Sequence, residues 1–122
     1  MGKTTARFSV VMLVCSDLNR SRSFYRDVLG LKILGDDPPR SVEFELANGA
    51  ALSLHVKSDV LAVRPGSSQL GFEVEDVDRF VAECVARRVP IFQDPYDESF
   101  GRIAVIGDPD GYPVQVATLR KS

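Results

Sequence analysis

Phe72-Glu73-Val74-Glu75-Asp76-Val77 repeats, in the second half of the chain, the plan of Val14-Cys15-Ser16-Asp17-Leu18 in the first. In each stretch a strand runs into an Asp, then into an apolar residue that opens an amphipathic segment. An Asp at that position caps a helix, because its carboxylate accepts from the free amides of the first turn. Upstream of the first junction, Phe8 to Cys15 reads as a strand. Downstream, the spacing predicts a helix over about Leu18 to Leu29, stopped by Gly30, which takes positive φ without strain. A strand is expected at about Leu31 to Leu34, then a turn at Asp36-Asp37-Pro38-Pro39. Strands at Ser41 to Ala47 and Ala50 to Lys57 flank Asn48-Gly49, a strong hairpin signal.

The second half follows the same order. Gln69 to Val74 reads as a strand, and Asp76 caps a helix whose Val77, Phe80, Val81, Cys84 and Val85 keep helical spacing. Pro90 to Gln93 reads as a short strand, and a loop carrying Pro95 and Gly101 leads to a strand at Arg102 to Ile106. Asp108-Pro109-Asp110-Gly111 is a tight turn before a last strand, Tyr112 to Leu119. Both halves thus read β-α-β-β-β. The expected class is α+β, a single domain over 1–122. Its first module spans 7–57, a linker 58–68 carrying Pro65-Gly66, and its second module 69–119.

Composition narrows the function classes. The 122 residues fit one domain and are 44% hydrophobic and 26% charged, the balance of a globular chain rather than a disordered one. The net charge is −2, and the basic residues are scattered, which argues against a nucleic-acid surface. There is no long apolar run and no charged-then-apolar leader, so neither a membrane span nor a signal peptide is expected, and the expected location is the cytoplasm. Cys15 closes an apolar strand and Cys84 sits on an apolar helix stripe. Both read as buried thiols rather than as a disulfide or a zinc pair.

Alternation in the strands is clean. Leu52, Leu54 and Val56 face one way, and Ala51, Ser53, His55 and Lys57 the other. Leu70, Phe72 and Val74 oppose Gln69, Gly71 and Glu73, and Val114 and Val116 oppose Gln115 and Ala117. One face should pack on the helices. The other is small and partly polar. It is either solvated, as in many antiparallel sheets, or the wall of a concavity.

Three stretches carry a family resemblance. They are Val14-Cys15-Ser16-Asp17-Leu18 through Ser23-Phe24-Tyr25-Arg26-Asp27-Val28-Leu29-Gly30-Leu31, then Gly71-Phe72-Glu73-Val74-Glu75-Asp76-Val77, then Gly101-Arg102 with Asp108-Pro109-Asp110-Gly111-Tyr112. In order and spacing they resemble the vicinal oxygen chelate superfamily, which includes glyoxalases, extradiol dioxygenases and bleomycin-resistance proteins. The resemblance implies paired βαβββ modules whose curved mixed sheet forms a cleft, with helices on the outer face. It also implies a homodimer that exchanges modules.

In metal-using members the resemblance places ligands at Val10, Ser53, Gln69 and Gln115. Val cannot ligate, Ser ligates weakly, and neutral Gln does not offset a divalent charge as a carboxylate does. No metal, no other cofactor and no catalytic residue is therefore expected. His55, the one histidine, shares a face with Ser53. It reads as a surface or packing residue, a pocket hydrogen-bonding group, a lone ligand or an acid–base group. Phe44, Phe92, Tyr96, Phe100 and Tyr112 lie in or beside the segments that would form a cleft, and aromatic rings offer flat area to a ligand. Asp94, Asp97 and Glu98 make one loop acidic, which is either plain solvation or a preference for a cationic ligand.

The expected function is metal-independent binding and sequestration of an aromatic-containing small molecule, such as an antibiotic. Val10, Met12, Phe44, Ser53, His55, Gln69, Phe100 and Gln115 are the expected contacts. Neither nucleic acid nor membrane is an expected partner. Two alternatives stay open: a glyoxalase-like lyase or isomerase or a dioxygenase, and a non-catalytic interaction module with a vestigial cleft.

Overall fold

The computed structural model describes residues 5–65 and 69–120. Gly66, half of the expected Pro65-Gly66 linker signal, lies outside them. The chain divides into two compact units, Met1–Val63 and Arg64–Ser122.

The first unit runs β1 (Val10–Cys15), α1 (Leu18–Ser23), β2 (Ile33–Asp37), β3 (Ser41–Glu45) and β4 (Ala51–Val56). Its four strands form one mixed sheet in the order β1-β4-β3-β2, with β1 parallel to β4 and the other pairs antiparallel. Asp17 caps α1 as expected: its Oδ1 accepts from the Arg20 N–H at 3.1 Å. The helix does not continue as a regular α-helix to Leu29. It widens into a π-helical turn at Phe24–Val28, where two successive aromatic rings are taken into the core. Phe24 and Tyr25 meet edge to face at 5.0 Å, and Tyr25 lies 6.1 Å from Phe44. The chain then leaves through Gly30 at φ 74°. With Leu52, Leu54 and Val42, these rings fill the space between helix and sheet.

The second unit runs β5 (Leu70–Glu73), α2 (Val77–Ala86), β6 (Ile91–Glu98), β7 (Gly101–Gly107) and β8 (Pro113–Leu119). Its sheet has the matching order β5-β8-β7-β6, with β5 parallel to β8. Asp76 repeats the cap of Asp17, its Oδ1 accepting from Arg79 N–H at 3.1 Å. Val77, Val81 and Cys84 are buried beside Ala104, Ile106, Val114 and Val116. Both cysteines are buried, and neither is in a disulfide. The α+β class and the duplicated βαβββ plan are therefore present, each module with its own four-stranded sheet.

Two edge strands differ from the sequence reading. β2 lies at Ile33–Asp37 rather than Leu31–Leu34, so Asp36 and Asp37 belong to the strand, and its register shifts between Ile33 and Gly35. β6 is eight residues long and runs through Pro95, with register shifts between Ile91 and Gln93 and between Gln93 and Tyr96. Pro95 is tolerated because the strand is at the sheet edge and bulged, where one missing N–H leaves no partner stranded.

Candidate functional site

Register places the side chains on the face of each sheet turned away from its helix. In the first unit Val10 pairs with Ala51, Met12 with Ser53 and Val14 with His55. Across β4, Ser53 meets Glu43 and His55 meets Ser41. Partners in register point to the same side. Val10, Met12, Ser53 and His55 therefore share this far face, and Glu43 joins them. Val10 and Met12 are 48% and 45% exposed, unusual for large apolar strand residues, while Ser53 is buried. Phe44, expected as a contact, stands on the other face. It is fully buried against Tyr25 and belongs to the core, because its alternation runs with Val42 and not with Glu43.

In the second unit the far face reads as rows across the strands. One row is Gly71 on β5, Gln115 on β8, Val105 on β7 and Gln93 on β6. The next is Glu73, Ala117, Ile103 and Tyr96. Gln69 lies one residue before β5 rather than within it, but its Nε2 still donates to Gln115 Oε1 at 3.4 Å. A cavity of about 290 Å³ opens on this face, lined by Gly71, Phe72, Glu73, Gln115, Ala117 and Leu119. Its apolar lining is Phe72, Ala117 and Leu119. At the far edge Phe92 lies against Gly107, where a Cβ would run into the ring. Phe100 occupies the β6–β7 turn and is 47% exposed. Tyr112, by contrast, is buried, its hydroxyl accepting from Arg64 N–H at 3.2 Å.

Two larger hollows lie elsewhere in this unit. One of about 500 Å³ runs beside the start of α2, lined by Glu75, Asp76, Arg79, Phe80 and Glu83 among others. One of about 400 Å³ surrounds Asp78 and Arg102. Asp76, Asp78, Asp97 and Arg102 are already engaged there. Asp76 caps α2, and Arg102 donates to Asp78 at 2.9 Å and to Asp97 at 3.1 Å. That bonding holds the Asp78 carboxyl below its usual range and raises Arg102. The smaller cavity on the far face sets apolar side chains beside the Gln115 amide and the Glu73 carboxylate, the combination a small-molecule site requires.

The four positions at which the resemblance places metal ligands carry an alkyl group, a neutral hydroxyl and two amides, and those amides bond to one another. Among the described residues no group of three or more His, Cys, Asp and Glu is assembled to hold an ion. These residues do not fit a divalent metal.

Sequence reading had missed Glu43, Gln93 and Val105 as far-face residues. The period-two rule applied to β3 and β7 would have found Glu43 and Val105. The bulges in β6 hid Gln93.

This duplicated fold, with its ligand-sized far face, has counterparts among known proteins. Residues 7–116 match the model of the Glyoxalase/Bleomycin resistance protein/Dioxygenase superfamily, and the chain belongs to that superfamily. It is 28% identical over 115 residues to the phenazine antibiotic resistance protein EhpR of Enterobacter agglomerans, covering 88% of each chain. Its fold matches that of TnmS3, an antibiotic binding protein from Streptomyces sp. CB03234, with a TM-score of 0.79 at 22% identity, over 98% of this chain and all of the other. It also matches a lactoylglutathione lyase from Agrobacterium tumefaciens, with a TM-score of 0.73 at 23% identity, over 95% and 96% of the two chains. Among the described residues no helix is long and apolar enough to cross a membrane.

Proposed function

We propose that this chain binds an aromatic-containing small molecule and sequesters it unchanged, without a divalent metal, as a cytoplasmic homodimer. The observation that carries the reading is the Gln69–Gln115 pair beside an apolar, ligand-sized cavity. Two neutral amides are donors and acceptors at once, so they suit the heteroatoms of an organic ring system better than a cation. Phe72, Ala117 and Leu119 supply apolar contact. In the first unit Ser53 and His55 provide polar contacts on the far face, beside exposed Val10 and Met12. Similarity to a phenazine resistance protein across most of both chains supports a flat heteroaromatic ligand. The exposed apolar side chains Val10 and Met12 are consistent with a face that a second chain completes.

Calorimetry with phenazine tests the binding, with mass spectrometry of the recovered compound and elemental analysis of protein purified without chelator. Saturable binding, unaltered phenazine and an affinity indifferent to chelator are expected. Gln69→Ala should weaken binding by about 0.5–1.5 kcal/mol, the worth of one neutral hydrogen bond. A transformed ligand whose formation disappears in His55→Ala at unchanged affinity would make the protein an enzyme. So would one divalent ion per chain that is lost in Gln69→Ala, if turnover accompanies it. Light scattering at micromolar concentration checks the dimer, and a monomer that binds phenazine normally would refute a shared site.

A further inference from the structure

Of the 15 Lys and Arg residues in the chain, Arg102 alone lies in a strand among the described residues. It turns to the helix side, where Asp78 and Asp97 hold it. Neither far face therefore carries a strand Lys or Arg. Carboxylates do stand there: Glu73 and Glu98 in the second unit, Glu43 and Glu45 in the first. Glu73 has no ion-pair partner among the described residues, and it lines the cavity directly. It also begins the row that continues through Ala117 and Ile103 to Tyr96. Strands are spaced about 4.8 Å apart, so three intervals put the row's ends about 14 Å apart. Ala117 and Ile103 in the middle of the row are only 3% and 5% exposed, so a ligand meets the row at its Glu73 end.

We infer that Glu73 is a specificity-determining residue, and that the preferred ligand is a flat polycyclic compound carrying a protonated amine or amidinium. The inference rests on the binding reading above. The rings lie in the cavity beside Gly71, Phe72 and Leu119, and the cationic substituent reaches Glu73. Gly71 leaves the approach open, since a Cβ there would meet only Gln115 Nε2, at an ordinary 3.7 Å. Among the described residues, a cavity with a carboxylate and no Lys or Arg in its lining is selective in both senses. It attracts a cation and rejects an anion through unpaired like charge.

The test is calorimetry with three planar probes: proflavine, a cation at neutral pH; phenazine, neutral; and phenazine-1-carboxylate, an anion. The proteins are wild type, Glu73→Gln and Glu83→Gln. The last removes the same charge from α2, off the far face. Glu73 is exposed, so its variant should keep the wild-type melting temperature. Wild type should bind proflavine tightest and the carboxylate weakest. Glu73→Gln should lose on the order of fivefold for proflavine, with a reduced salt dependence, and leave phenazine unchanged. Glu83→Gln should change neither. Equal affinity for all three probes, a tighter carboxylate, or the same loss in both variants would overturn the inference and leave the binding reading standing. Failure of every probe to bind would overturn both.

Discussion

Phe92 rests its ring on the backbone of Gly107, and no other residue at 107 leaves room for it. A Cβ at Gly101, by contrast, would run into the Thr118 carbonyl oxygen and approach Leu119 Cα to 2.9 Å. The two glycines serve different neighbours. Phe92 is 51% exposed and can swing into solvent, whereas the backbone of β8 cannot move without breaking its pairing with β7. Gly101→Ala should therefore destabilise by about 1–3 kcal/mol and Gly107→Ala by less than about 1 kcal/mol, read as urea midpoints. A larger loss at 107 would mean that the Phe92 ring is fixed rather than free to turn out.

The assignment of Phe44 to the core yields a second contrast. Phe44→Ala removes a fully buried ring in contact with Tyr25 and should cost about 3–5 kcal/mol. Met12→Ala, on the half-exposed far face, should stay within about 0.5 kcal/mol by the same denaturation measurement. Comparable losses would show that the far face is packed in the folded protein.

The Asp108 carboxylate is buried and accepts from the backbone N–H groups of Asp110 and Tyr112, both at 2.9 Å. It organises the turn between β7 and β8. Asp108→Ala should cost about 1–3 kcal/mol by stranding buried amides. Asp108→Asn keeps one acceptor oxygen and should recover part of that loss. Thermal unfolding of the two variants decides the point, and equal melting temperatures for Ala and Asn would deny the acceptor its role.

Burial pushes the Cys84 thiol up to about 11, aided by Glu83 and opposed by Arg87. A raised thiol pKa means that the folded state keeps a proton that the unfolded state releases. This contribution is fully present below the unfolded value near 9.0 and is lost as pH rises towards 11. Stability should therefore fall between those values, and Cys84→Ala should flatten that limb of the curve. A disulfide reagent at pH 8 should leave Cys84 unmodified until urea unfolds the chain. Rapid labelling in the native state would contradict its burial.

Much of this architecture was legible because local chemistry specified it. Asp17 and Asp76 mark two helix starts, and Asn48-Gly49 marks a turn in which both residues take positive φ, 59° and 81°. Other features had no local signature. The end of α2 is made by Arg88 at φ 61°, a residue with no special liking for that conformation. The bulges that carry β6 through Pro95 depend on its edge position, which only the assembled sheet defines. At the site, alternation placed Gln69, Gln115, Ser53 and His55 on the far faces, and it would have excluded Phe44 had β3 been read with the same period. The Glu73 to Tyr96 row was beyond reach, because it needs the register of four strands at once.

The parallel pairing of each module's first strand with its last has a consequence for how the chain is made. Val10 waits for Ala51, roughly 40 residues later, while the β3–β4 hairpin closes locally around Asn48-Gly49. On a ribosome, β1 emerges first and is paired last, and β5 is placed likewise relative to β8. The apolar run Val10–Cys15 is thus left without a strand neighbour for most of its own module's synthesis, and needs chaperone cover until that module is complete.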